Sequence, residues 1–269
     1  FNLPKKLFET EIYLNLKGSM LKRFQRAGKN VKDEFVSDRL LISSKSKMFK
    51  STYWLVRAPW VIVPYFIISV FLAGFFYIDP PYKIANNFLS QLGQIYINDQ
   101  LNLVSFLLFN IGLINVGLVI ALFYYNLFDF FYDNKNNKYL LRLLQTLGII
   151  AGISFAGIGI FPTDITFSYH VFFANNAFYV LLAVSIIQTY LIFNSAHLSN
   201  QYAIGYVIFC VLLALYVRLL LFGGNPGDGM PDGMYQAKHV VSQKLIVLTV
   251  MIATLHQTLG IKSFYNKNS

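Results

Sequence analysis

Asp164, His170 and His239 are side chains of the types that ligate a metal ion. Helix-borne zinc motifs place two ligands at a fixed spacing on one face, and no such pair occurs here, so no metal site is expected and this trio is the candidate if there is one. A second set of chemistry-bearing residues lies inside long apolar runs, where polar groups are costly and face a bundle interior or a cavity. Counted along helices at about 1.5 Å per residue, Asn110, Ser154, Asn175, Asn176 and Lys244 share one depth, and Arg218 lies slightly shallower. Five spans thus contribute to one polar layer, with Asp164, His170 and His239 above it and Asp228 and Asp232 in a nearby loop. The expectation is a polar cavity open to one side of a membrane. Asn110, Asn175, Asn176, Arg218 and Lys244 are the candidate lipid- or ligand-binding residues. Interhelical hydrogen bonding by the asparagines and snorkelling by Arg218 are the structural alternatives. His197 and His256 fall on the other side. No Ser-His-Asp order, phosphate-binding glycine loop or cofactor fingerprint is present.

The elements that must position these residues are membrane helices. The 269 residues are 56% hydrophobic and only 13% charged, against about 25% charged in globular chains. Apolar runs near 58–78, 103–125, 141–161, 170–193, 202–222 and 239–260 each reach the roughly 20 residues needed to span a bilayer. The expected fold is all-α, a six-helix transmembrane bundle. Residues 1–57 form a basic N-terminal arm, 58–261 the membrane domain and 262–269 a short tail. Thirteen Lys and Arg precede the first span, from Lys5 to Arg57, while the opposite loops carry only Lys83 and Lys238. By the positive-inside rule both termini then lie on the cis side, cytoplasm or mitochondrial matrix. The net charge of +10 is therefore read as membrane affinity, not nucleic-acid binding.

In the arm, Leu21, Phe24, Val31 and Phe35 recur near helical spacing among lysines and arginines. That pattern fits an amphipathic helix on anionic lipid, or a solvated or partner-bound arm. In the third span, Gly148, Gly152 and Ala156 stack on one face, which lets backbones approach closely and points to this span as the bundle centre. The loop 223–237 is too rich in Gly and Pro for helix or strand, and it lacks the regular Asp spacing of a calcium loop. The single cysteine, Cys210, excludes an intrachain disulfide. A start at Phe1 fits a removed upstream segment, a cleaved organelle presequence being one explanation. Asn- and Lys-rich stretches hint at an AT-rich genome.

Short motifs run in order through residues 58–260: Ser90-Gln91-Leu92-Gly93, Phe109-Asn110-Ile111-Gly112-Leu113, Gly159-Ile160-Phe161-Pro162-Thr163-Asp164 with His170 following, and Gln243-Lys244. In these the chain resembles a family of bacterial and archaeal membrane proteins catalogued only as a domain of unknown function. The resemblance implies a helical bundle and marks Ser90, Asn110, Asp164, His170 and Lys244, but implies no reaction. Pro162 ends the third span, and Asp164 is placed to cap free N–H groups of the fourth or to pair with His170.

The expected function is non-catalytic: a lipid-binding protein or accessory subunit of a larger membrane complex, with a bound phospholipid and no other cofactor. Membrane lipids and protein subunits are the expected partners, and a mitochondrial inner membrane is placed ahead of a prokaryotic cytoplasmic one. The alternative is an intramembrane lipid hydrolase of the alkaline ceramidase type, in which Ser90, Asp164, His170 and His239 would serve. The pair of helix-borne histidines expected late in such chains is missing. A small-solute transporter is the third reading, although no internal repeat is visible.

Overall fold

The structure, a computed structural model, describes residues 52–132, 137–222 and 234–268. The basic arm before residue 52, with its Leu21–Phe35 pattern, and Asp228 and Asp232 lie outside the described residues. Six helices follow one another: α1 (Ala58–Phe75), α2 (Leu103–Phe131), α3 (Lys138–Ile160), α4 (Phe167–Phe193), α5 (Ile204–Phe222) and α6 (Met234–Asn268). One π-helical turn, Tyr53–Arg57, leads into α1, and a 3-10 turn, Asn200–Ala203, leads into α5. All six are long and apolar enough to cross a membrane, the shortest spans having 23 residues. At about 1.5 Å per residue that length exceeds a hydrocarbon core of about 30 Å. The chain is an integral membrane protein with an all-α, six-helix fold.

Residues 52 and 268 lie at one end of the bundle, here the terminal end. The opposite, distal end carries the 76–102 connection and the α3–α4 turn. The 76–102 connection contains a 3-10 turn, Leu89–Gly93, and a hairpin of two short strands, β1 (Tyr96–Ile97) and β2 (Gln100–Leu101). Asn98 and Asp99 make its two-residue turn with φ of 49° and 62°, a left-handed geometry that Asn and Asp tolerate best after Gly. This hairpin is the one piece of strand in the described residues.

Helix packing follows chain order. Each helix lies against the next, and α6 returns to touch α1 over a small area. Little hydrophobic force drives association within lipid, so close packing must do it. The α2–α3 seam shows how. A side-chain carbon on Gly152 would stand 2.5 Å from the Gly117 carbonyl oxygen and 2.7 Å from the Ala121 nitrogen. Gly148 receives the Tyr124 ring in the same way. The small-residue face of α3 therefore works as its spacing suggests. The helix is nonetheless a wall between α2 and α4, its only extensive helix partners, and not the bundle centre.

The interior has two parts. In the distal half Leu92, fully buried, inserts from the 76–102 connection among Phe66, Phe109, Leu113 and Ile158. The terminal half is larger and more aromatic, and it includes Phe130, Phe131, Tyr206 and Phe209. There Gln188 donates to Gln257 at 2.8 Å, joining α4 to α6, and Trp60 Nε1 donates to Thr258 Oγ1 at 2.8 Å, joining α1 to α6.

Candidate functional site

Three of the residues singled out by the motifs, Asn110, Asp164 and Lys244, converge on one stretch of backbone, residues 87–96. Ser105 donates to the Leu92 carbonyl at 2.9 Å, and Asn110 Nδ2 donates to the Gly93 carbonyl at 3.0 Å. Asn102 Nδ2 donates to the Gln94 carbonyl at 3.0 Å. The Ile95 and Tyr96 N–H groups donate to Asp164 Oδ2 at 3.0 and 2.8 Å. From α6, the Gln243 side-chain oxygen accepts the Leu89 N–H at 3.2 Å, and Lys244 Nζ donates to the Asn87 carbonyl at 2.6 Å. Three elements thus grip the connection: α2 with its leading residue Asn102, the α3–α4 turn, and α6.

Physical necessity explains the arrangement. Non-helical backbone packed against the helix ends must have its buried polar groups satisfied. Gly93 is required for the approach, since a side-chain carbon there would stand 2.5 Å from Asn110 Oδ1. Lys244 Nζ also stands 5.9 Å from the centre of the Tyr82 ring, within cation–π range. The Tyr82 hydroxyl itself donates to the Asn87 and Phe88 carbonyls at 3.2 and 3.4 Å. Burial, and the neighbouring Tyr77, push the Tyr82 phenol well above its ordinary value, and burial raises Tyr77 as well. Both stay neutral donors across physiological pH.

The α3–α4 turn is built by Pro162. Helix α3 ends at Ile160, and Phe161 is extended. Asp164 then caps N–H groups, but those of the hairpin and not of α4 as its position suggested. His170 is buried and does not pair with Asp164: its Nδ1–H donates to the Phe161 carbonyl at 2.7 Å. His239 is also buried, with its ring 6.1 Å from that of Tyr216. Among the described residues no three His, Cys, Asp or Glu side chains stand close enough to share a metal ion, so Asp164, His170 and His239 do not assemble one.

Below this clamp lies a cavity of about 140 Å³. It is not the polar cavity expected from shared depth. Its walls are aliphatic and aromatic: Ile62, Val63 and Phe66 of α1, Phe109 to Phe123 of α2, Phe178 and Leu181 of α4, and Val247 to Met251 of α6. Polar groups occur only toward its ends, Ser90, His170 and Gln243 distally and Tyr124 and Thr254 deeper. Between Gln243 and Thr254 the cavity follows α6 for roughly 16 Å, so it is a slot along the helix axis.

None of Asn110, Asn175, Asn176, Arg218 or Lys244 lines the slot. Asn176 Nδ2 donates to Ser154 Oγ at 2.6 Å, which joins α4 to α3. Asn175 is half-buried, and Arg218 is exposed on α5. Of the earlier candidates, only Ser90 and His170 reach the slot. His197 and His256 lie toward the terminal end, as expected, where His197 Nδ1–H donates to the Phe130 carbonyl at 2.8 Å and His256 meets the Tyr202 ring. Sequence reasoning missed Ser105, Asn102 and the grip of Gln243. Ser105 carried the same signal as Asn110, a polar side chain near the distal end of an apolar run. The slot-lining residues carried none, because apolar residues facing a cavity and facing lipid read alike.

No curated protein and no solved structure matches the chain. A protein family described as a protein of unknown function (DUF998) matches residues 60–253, which run from the first turn of α1 into α6 and take in the clamp and all of the slot's lining but Pro59 and Thr254. The chain belongs to that family.

Proposed function

We propose that this protein is a non-catalytic integral membrane protein that holds a membrane lipid in the slot and serves as an accessory subunit of a larger membrane assembly. The observation that carries the reading is the apolar slot beneath a polar clamp. The side chains with chemical potential, Asp164 and Lys244 above all, are hydrogen-bonded to backbone. A concave, mostly apolar site with a few polar groups at its ends is the form of a ligand site. The charge distribution supports placing the terminal end on the cis side, and the Asn- and Lys-rich composition motivates testing a mitochondrial inner membrane first.

Native mass spectrometry of the complex extracted in mild detergent, with metal analysis of the same sample, tests the reading. The expected result is a lipid adduct and co-purifying subunits without stoichiometric zinc. A lone chain carrying one zinc ion would overturn it in favour of a lipid hydrolase. That second reading has one observation behind it: Ser90 and His170 both border the distal end of the slot.

A further inference from the structure

Resting on the lipid-binding reading, we infer that the slot takes one extended acyl chain from the bilayer, tail toward Tyr124 and Thr254 and head toward Ser90 and Gln243. Three observations converge on this. The first is length. The roughly 16 Å between Gln243 and Thr254 is about half of a hydrocarbon core of about 30 Å, the depth of one leaflet. A chain held there lies as it would in the membrane, parallel to its neighbours.

The second is the difference between the two ends. At the deep end the Tyr124 and Thr254 hydroxyls both turn to Tyr206. At the distal end Gln243 uses its carbonyl oxygen on the Leu89 N–H, which leaves its amide N–H groups as donors, and the Ser90 hydroxyl is also there. Donors at the distal end suit a head region that accepts hydrogen bonds: an ester carbonyl, a carboxylate or a phosphate.

The third is access. In the slot's α2 and α4 walls Phe109, Leu113, Phe123, Phe178 and Leu181 are buried, while Val116, Val119, Ile120 and Ala174 are half-buried. Along the α1–α6 side every lining residue of α6 from Gln243 to Thr254 is half-buried, as are Ile62 and Val63 of α1, with Pro59 and Phe66 buried. Between the Leu89–Gln243 bond above and the Trp60–Thr258 bond below, the weakly packed α1–α6 seam faces lipid. A chain enters sideways from the bilayer, and a second chain of the same lipid stays outside.

The test uses the full chain in phosphatidylcholine liposomes doped with one of two photoactivatable probes. One is palmitic acid with a terminal diazirine; the other is a phosphatidylcholine carrying that same chain. Illumination and peptide mapping are expected to place the label near Phe123–Tyr124 and Met251–Thr254. Labelling by the fatty acid alone assigns a free acid, and labelling by the phospholipid assigns an acyl ester. Ala174→Trp, which fills the slot from α4, should remove most of the label. Val250→Phe fills it from the half-buried wall if the first variant does not fold. Val61→Trp, on the lipid-facing side of α1, should change nothing. Label confined to outward residues such as Val61 and Phe71, and insensitive to slot filling, overturns both this inference and the lipid-binding reading. Label inside the slot but beside Ser90 and His170 overturns the chain direction alone and leaves lipid binding standing.

Discussion

The α2–α3 seam and the α1–α6 seam are both contacts between apolar helices, yet they are built in opposite ways. Across α2–α3, Gly117 and Gly152 bring the two backbones together with no room for a side-chain carbon. Across α1–α6 the helices touch little, and an apolar slot lies behind them, held by the Trp60–Thr258 bond and by the α6 grip on the distal connection. In lipid, an apolar side chain gains little by leaving the bilayer for another helix, so contact has to come from shape. Where small residues allow backbone approach, the seam closes. Where Ile62, Val63, Val247 and Val250 face each other, space remains that a ligand can share. One set of helices thus has a closely packed seam and a sparsely packed one.

The sharpest way to break that contrast is Gly152→Leu. Its side chain must displace the backbone of α2, and overpacking of this kind costs about 3 kcal/mol. The expected result is a large drop in the thermal unfolding midpoint in detergent, or no folded protein. Gly74→Ala is the control, since a carbon there would meet the Tyr82 ring at an ordinary 3.7 Å. Little or no loss at Gly152 would mean that the seam is not closed by backbone contact.

Asp164→Ala comes next. It deprives the Ile95 and Tyr96 N–H groups of an exposed carboxylate acceptor, a loss of about 2 kcal/mol once solvent replacement is allowed for. Amide exchange at Ile95 and Tyr96 should accelerate while α3 and α4 stay protected. Unchanged exchange at Ile95 and Tyr96 would show that the carboxylate does not hold the hairpin.

Lys244→Met removes one donor to the Asn87 carbonyl, worth about 1 kcal/mol. Its expected effect is faster exchange confined to residues 86–89 on the α6 side of the clamp. Acceleration spreading to Ile95 and Tyr96 would show that the two sides of the clamp act as one unit.

The smallest effect is expected at Trp60→Phe. Interhelical hydrogen bonds in membranes average about 0.6 kcal/mol, so stability should barely move. The α1–α6 seam should loosen instead, read as faster labelling of the slot by the fatty-acid probe. A stability loss as large as that of Gly152→Leu would erase the distinction between the seams.

The spans were legible in advance because apolar length belongs to a single segment and needs no partner. Their order, the stop at Pro162 and the small face of α3 were legible for the same reason. Helices α2 and α6 run further than the apolar runs suggest, to Phe131 and Asn268. Polar, aromatic ends such as Phe128–Phe131 stay helical through packing in the terminal half, where Phe130 meets His197, Phe264 and Tyr265. That contact joins residues far apart in sequence, so no local pattern reports it.

Depth along a helix is one coordinate and rotation about its axis is another. The sequence by itself determined the first: Asn110 and Lys244 do reach the same distal region. Only the tertiary structure decided the second. Rotation follows from which faces pack, and that depends on contacts such as Gly117 with Gly152 and Gly93 with Asn110. These turn the shared polar depth toward the backbone of residues 87–96, where carbonyl groups buried without a partner would otherwise be costly. They leave the interior below it apolar, a hydrocarbon-lined slot where a polar cavity was expected.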